Sequence, residues 1–325
     1  MKRVRCAIAG LGRIGSLLED DRLREKPATH AGAIAHNPDC TLAAGCDIRE
    51  DRRTRFAERW DCKNTYQDTG EMLSQTDPDI LHIATPPDTH LEIVRTAVQH
   101  GVRMIVCEKP LAETEEDAHL ITALHKDRRT KILVNHERRY SADYRMARER
   151  IQMKAYGELL SIHAMLYMGR YREANDILLD DGTHLIDTIN FLTGSTLDLV
   201  QNERFDLSQQ QSLLVMGRAC DTPVVFEVAS GRTYVTFELD LIFSHGRIRI
   251  GNGTYEEYES GPSPYYEGMN SLLRKKTPPP FPTGYFTNMM ADAVLCAREQ
   301  NREPVSSALD GYKALALIAR VKGEG

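Results

Sequence analysis

The chain has 325 residues, 41% hydrophobic and 27% charged, with 41 Lys and Arg against 47 Asp and Glu for a formal net charge of −6. That length exceeds what one hydrophobic core organises and predicts two domains, while no apolar run nears the roughly 20 residues that span a bilayer, which argues against a membrane protein. The acidic balance and the short, separate basic clusters at Arg52-Arg53, Arg138-Arg139 and Arg274-Lys275-Lys276 argue against a nucleic-acid partner. Met1-Lys2-Arg3 runs into an apolar stretch with no room for a signal peptide, and the seven cysteines form no C-x-x-C pair, so a cytoplasmic protein with reduced thiols is expected.

Residues 4–9 predict a strand, and Gly10-x-Gly12-x-x-Gly15 follows it directly. Gly10 suits the tight turn out of a strand, Gly12 the close approach of a pyrophosphate, and Gly15 close packing of the next helix on the sheet, with Arg13 and Ile14 on the same dinucleotide-binding loop. Further strands are predicted at 41–46, 80–84, 104–107 and 132–134, alternating with amphipathic stretches at 49–59, 89–100 and 114–126. This is the pattern of an α/β, doubly wound parallel (Rossmann) sheet, assigned to residues 1–135. Residues 136–325 are assigned to a substrate-binding and oligomerisation domain of α+β type with an open, mostly antiparallel sheet. A helix at 142–154 leads it, strands follow at 159–167, 212–217, 222–229, 233–243 and 247–250, and helices are placed at 183–192, 288–300 and 307–321. The Pro-, Gly-, Tyr- and Ser-rich stretch 255–282 is read as a long loop.

Asp47 ends the second predicted strand, where a carboxylate accepts hydrogen bonds from the adenosine ribose and repels a 2′-phosphate. It favours NAD(H), although Ile48 and Arg49 follow it and an arginine there suits NADP(H), so both cofactors stay open. Asp47 lies 32 positions beyond Gly15, against a usual spacing of about 20, and an insertion at 19–30 accounts for the excess as a lid or a surface loop. Thr85-Pro86-Pro87 and His90 follow the third main strand, and Glu108-Lys109-Pro110 the fourth, at the sheet edge where open α/β folds bind ligands. Taken alone these fit a stiff turn and a solvated charge equally well. No metal site is expected.

The segments A-G-L-G-R-I-G, A-T-P-P-D-T-H, C-E-K-P-L-A and L-L-D-D-G-T-H-L-I-D, in this order, resemble the Gfo/Idh/MocA family of nicotinamide-dependent sugar and cyclitol oxidoreductases. The resemblance implies a catalytic set of Lys109, Asp180 and His184, a cis peptide before Pro110, a carbohydrate-like small-molecule substrate and a homodimer or homotetramer. It implies that Lys109 holds the reacting oxygen, that His184 moves its proton and that Asp180 positions both. Independently of the family, Asp180, His184 and Asp187 fall at i, i+4 and i+7 and would share one face of a helix. A histidine with a carboxylate neighbour suits proton transfer near neutral pH. Ala174-Asn175-Asp176 stands where many members are glycine-rich, which alters the pocket, and Arg139, in Val134–Tyr140, is expected to touch nicotinamide or substrate or to cap the next helix. A redox-neutral enzyme with tightly held NAD, or a non-catalytic NAD(P)-binding regulator, are the alternatives.

Overall fold

The computed structural model describes residues 2–124, 130–207 and 210–323. The chain divides into two compact units, Met1–Tyr140 with Gly284–Leu315, and Ser141–Thr283 with Ala316–Gly325.

In the first unit the parallel strands β1 (Val4–Ala9), β2 (Cys40–Cys46), β3 (Thr65–Tyr66), β4 (Ile80–Ile83), β5 (Met104–Cys107) and β6 (Lys131–Val134) lie in the order 3-2-1-4-5-6. That order reverses between β1 and β4, so their carboxyl ends flank the crevice in which doubly wound sheets bind ligands. The helices are α1 (His30–His36), α2 (Glu50–Trp60), α3 (Thr69–Thr76), α4 (His90–Gln99) and α5 (Glu115–Leu124). Local chemistry starts several of them: the Thr29 hydroxyl accepts from the Gly32 N–H, Asp68 from Glu71 N–H and Thr114 from Asp117 N–H. The last two positions of the helix expected at 114–126 lie outside the described residues.

The expected insertion has a definite register. The His30 and Ala31 N–H groups donate to the Ile14 and Gly15 carbonyls at 3.1 and 3.0 Å, sixteen positions apart where an α-helix has four. Twelve residues are therefore looped out of one helical ladder, which is the excess in the Gly15–Asp47 spacing. The excursion is tied down: Glu19 accepts from the Ala28 N–H and the Thr29 hydroxyl, Asp20 pairs with Arg55 and Arg59 of α2, and Glu25 accepts from the Gly284 N–H.

Residues 284–315, placed by sequence in the second half, pack with the first unit. Helix α9 (Tyr285–Arg298) contributes Phe286, Met289, Met290 and Ala293 to one core with Ile8, Ile34, Phe56, Met104 and Leu133. The Lys131 ammonium is buried at the end of α9 and donates to the Cys296 carbonyl at 2.8 Å and to that of Glu299. A cation there meets the negative end of the helix dipole. The division between the units falls within α10 (Ala308–Lys322).

The second unit holds α6 (Ala142–Gln152), β7 (Leu159–Tyr167), α7 (Ala174–Asp180), α8 (Gly182–Thr193), β8 (Leu197–Leu207), β9 (Gln210–Ala219), β10 (Thr222–Ala229), β11 (Thr236–Phe243), β12 (Gly246–Gly251), β13 (Thr254–Pro262) and β14 (Asn270–Arg274). Its sheet runs 14-13-12-11-7-10-9-8 and is antiparallel except where β10 joins β7. Ile162, Ala164, Leu166, Val224, Phe226, Leu239 and Leu241 are buried, while alternate residues carry half-exposed ion pairs such as Arg247–Asp240 and Arg249–Glu238. This is the pattern of a sheet with one packed face.

The loop expected over 255–282 is corrected by the hairpin of β13 and β14. An acid at an inward position hides the strand pattern there. Glu257 is buried, and its carboxylate accepts from Thr277 Oγ1 at 2.7 Å, Tyr255 OH at 2.9 Å, Arg150 Nε at 3.0 Å and Tyr156 OH at 3.0 Å. Burial pushes this carboxyl up, but the four donors outweigh it and hold it below the usual range. The sequence reading also misses the polar edge strand β8, the two-residue β3 and the short helices α3 and α7.

Two outcomes follow from these buried charges. Lys131→Met should destabilise the protein by about 2–3 kcal/mol in urea unfolding, since two helix carbonyls lose a charged donor; a change below about 0.5 kcal/mol would contradict the capping role. A depressed carboxyl contributes stability that is present above its unfolded pKa and lost as pH falls through the folded one. Thermal stability attributable to Glu257 should therefore hold from pH 7 to 5 and fall below the ordinary carboxylate range. Glu257→Gln should lower Tm at pH 7 and flatten that acid limb.

Candidate active site

The loop after β1 has the shape a dinucleotide needs. Gly10 has φ +94°, and a Cβ there would stand 2.5 Å from the Ala84 carbonyl group; a Cβ at Gly15 would stand 2.0 Å from the Gly10 oxygen. Neither position admits a side chain. At Gly12 a Cβ would meet only the Arg52 guanidinium, at 3.3 Å, so the loop presents bare backbone on that side. These residues fit a pyrophosphate. Arg13 and Ile14 lie on the same turn, whose Gly12 and Arg13 carbonyls accept from Leu17 and Leu18 N–H.

Asp47 sits at the carboxyl end of β2, its Oδ2 accepting from the Leu11 N–H at 2.9 Å and its Oδ1 from the Arg49 N–H at 3.0 Å. The Arg49 side chain turns away to Asp51, at 2.7 and 3.0 Å. Arg52, one helical turn on, places its guanidinium 3.3 Å from Asp47 Oδ2 and next to Gly12. The sequence reading names Arg49 and misses Arg52; the step of three on a helix beginning at Glu50 is the signal that could have found it. Ile48 is exposed.

Beyond β4 the Thr85 and Thr89 hydroxyls are 2.7 Å apart, on either side of Pro86 and Pro87. His90 is fully buried, with Nε2 at 2.9 Å from the Thr85 carbonyl and Nδ1 at 3.1 Å from that of Leu111. It braces the loops after β4 and β5 from beneath, and burial lowers its pKa. After β5 the Lys109–Pro110 peptide is cis, Lys109 is half-buried and Glu108 is buried. The Glu108 Oε1 accepts from Asn135 Nδ2 at 2.6 Å and lies 2.8 Å from His30 Nε2. Arg139 is also buried, paired with Asp310 at 3.0 Å and donating to the Val305 carbonyl at 2.8 Å. Burial would raise the Asp310 carboxyl, but Arg139 and the Ser307 hydrogen bonds hold it below its usual value.

In the second unit the one-face expectation for Asp180, His184 and Asp187 is corrected. Asp180 is the last residue of α7, and α8 begins at Gly182, its ladder restarting with His184 N–H on the Asp181 carbonyl at 3.1 Å. Asp187 is buried, His184 half-buried and Asp180 exposed. Arg172 pairs with Asp180 and reaches Asp181 at 3.6 Å. Arg172 escaped the sequence reading because it lies in an irregular stretch eight positions before its partner. Among the described residues, no group of three or more His, Cys, Asp or Glu side chains is arranged to hold a metal ion.

A family model described as an oxidoreductase family with an NAD-binding Rossmann fold matches residues 4–136. The dTDP-3,4-didehydro-2,6-dideoxy-alpha-D-glucose 3-reductase of Streptomyces antibioticus is 25% identical over 306 residues, covering 89% of this chain and 90% of that one. An inositol 2-dehydrogenase of an Arthrobacter species is 29% identical over 207 residues, 61% of this chain and 56% of that enzyme. The chain spans about half the length of several of the curated relatives it matches. A dehydrogenase crystal structure from Chromobacterium violaceum shares the fold, with a TM-score of 0.83 at 16% identity over 99% of this chain and 95% of that one.

The glycine loop yields a paired expectation. Gly15→Ala should cost about 1–3 kcal/mol through overpacking and abolish the thermal shift produced by NAD(H). Gly12→Ala, which meets only a movable guanidinium, should fold like the unaltered protein. Thermal shifts with NAD(H) in both variants as large as in the unaltered protein would show that the loop does not hold the cofactor.

Proposed function

We propose that the chain, whose residues 4–136 match a family of oxidoreductases with an NAD-binding Rossmann fold, is a Gfo/Idh/MocA-type dehydrogenase or reductase using NAD(H) at a hydroxyl or carbonyl carbon of a sugar, sugar acid, cyclitol or sugar nucleotide. The observation that carries this reading is the carboxyl edge of one parallel sheet, where the glycine loop follows β1, Asp47 follows β2 and Lys109 follows β5. The names of two relatives, an inositol dehydrogenase and a nucleotide-sugar reductase, support the substrate class.

Gly10, Gly12 and Gly15 would hold the pyrophosphate and Asp47 the adenosine ribose. Bound NAD(H) supplies the hydride acceptor or donor. In the oxidative direction Lys109 donates a hydrogen bond to the reacting oxygen, and His184 takes the hydroxyl proton as the carbinol hydrogen leaves. Asp180, which pairs with Arg172 in the structure, would act on His184 only through its charge, balancing the one that His184 gains. Because Arg52 offsets part of the Asp47 charge, the preference against a 2′-phosphate rests on how far the guanidinium stays with the carboxylate. The protein is read as a cytoplasmic homodimer or homotetramer, which light scattering tests against the monomer mass of 36.7 kDa.

Titrating NAD and NADP onto the purified protein should give at least about tenfold tighter binding of NAD, about 1.4 kcal/mol, and Asp47→Ala should shrink that gap. Tighter binding of NADP would reverse the cofactor assignment. A panel of myo-inositol, scyllo-inositol, D-glucose, methyl glucoside and gluconate with NAD should identify a compound that forms NADH in proportion to product. Turnover without net NADH would favour a redox-neutral reaction. On the active compound His184→Asn should lose about 10²–10⁴-fold in kcat while keeping its fold and NAD affinity, and Lys109→Met should do likewise; a normal kcat in His184→Asn removes it from the mechanism.

A further inference from the structure

Four polar side chains from four separate segments meet beneath the Glu108-Lys109 corner of the first unit. His82 of β4 and His30, the first residue of α1 after the insertion, are wholly buried and face each other through their Nδ1 atoms at 2.9 Å. His30 Nε2 then lies 2.8 Å from Glu108 Oε1, which also accepts from Asn135 Nδ2 at 2.6 Å. Phe286 packs against the His30 ring in a T-shaped arrangement, with centroids 5.5 Å apart.

The donors in this chain can be assigned. An ionised Glu108 only accepts, so His30 Nε2 must carry a hydrogen. His82 Nε2 is buried with no partner among the described residues, and an orphan lone pair there costs less than an orphan N–H. That places the His82 hydrogen on Nδ1, donating to His30 Nδ1. Burial pushes His82 far below the usual histidine value, which fits an uncharged His82 ring. Burial alone would raise the Glu108 carboxyl, yet the hydrogen bonds from His30 and Asn135 and the Lys109 charge keep it below its usual value. The charged and titratable groups facing Glu108 are therefore His30, His82 behind it, Lys109, the buried Cys107 thiol, and His90, whose pKa Glu108 acts to raise.

We propose that His30, backed by His82, is a positioning residue for the redox step: it fixes the Glu108 carboxylate, whose Oε2 accepts from the Lys109 backbone N–H at 3.3 Å, and so sets the orientation of the segment that carries the lysine ammonium. This rests on the reading above in which Lys109 holds the reacting oxygen. The one-way chain His82 to His30 to Glu108 begins in the core and ends at the residue preceding Lys109. It makes return of the chain from the insertion in correct register a requirement for the site.

The test reads Lys109 directly. Competitive acylation with acetic anhydride, quantified by peptide mass spectrometry, should show His30→Leu and Glu108→Gln each changing the Lys109 rate at least threefold against the other lysines. His30→Gln, whose amide can replace the Nε2–H donor, should restore it. On the compound identified by the panel, His30→Leu should lose about 10- to 100-fold in kcat, as expected when a reacting group is displaced, with NAD affinity and KM within about threefold. Nitrogen-15 histidine spectra of the unaltered protein should show His30 protonated only on Nε2 and His82 only on Nδ1. An unchanged Lys109 rate in both variants, or a His30 ring carrying its hydrogen on Nδ1, overturns the proposal. A panel without turnover, together with an altered Lys109 rate, overturns the assigned reaction and leaves the positioning role supported.

Discussion

The crowding of two backbone segments at the end of β1 is the constraint on which the first unit depends. With 2.0 Å between the Gly10 oxygen and the place a residue-15 Cβ would take, and 2.5 Å between Ala84 and that of residue 10, the chain can turn there only without side chains. The turn delivers the helix start to the switch point between β1 and β4, and everything else at that edge is arranged around it. Asp47 fastens the turn to β2 through the Leu11 N–H, and Arg52 leans over its open side. The helical ladder broken by the insertion resumes at Ile14 and Gly15, because the packing that begins at Gly15 must still be completed.

Buried charge is handled by the same logic throughout. Glu108, Glu257, Asp292 and Lys131 are each nearly removed from solvent, and each is met by several partners drawn from distant parts of the chain. Asp292 of α9 accepts from Tyr140 OH at 3.0 Å and the Val305 N–H at 2.9 Å, joining three segments of the first unit. An isolated charge in such a place would be costly, so these groups restrict the folds the chain can adopt. In the second unit the corresponding restriction is Glu257, which joins α6, the turn before β7, β13 and the segment after β14.

The sequence by itself determined the features that answer to local backbone need or to simple periodicity. A strand followed by G-x-G-x-x-G, alternating apolar runs and amphipathic helices, and one-sided strands in the second half are enough for the two sheet types, because each follows from the geometry of a few neighbouring residues. The glycine loop, Asp47, E-K-P and the D-x-x-x-H segment could be named in the same way, and the resemblance they carry points to the oxidoreductase family whose model matches residues 4–136. Tertiary structure decided what depends on partners far along the chain. It returned 284–315 to the first unit, put Arg52 rather than Arg49 at Asp47, gave Asp180 to Arg172 and turned a Pro- and Gly-rich stretch into β13 and β14 around a buried acid. It also joined His30, His82, Glu108 and Asn135, whose sequence separations of up to 105 positions hold no period to read. A hydrogen bond between side chains is specified by where two backbones meet, and that meeting is fixed only when the whole core has packed.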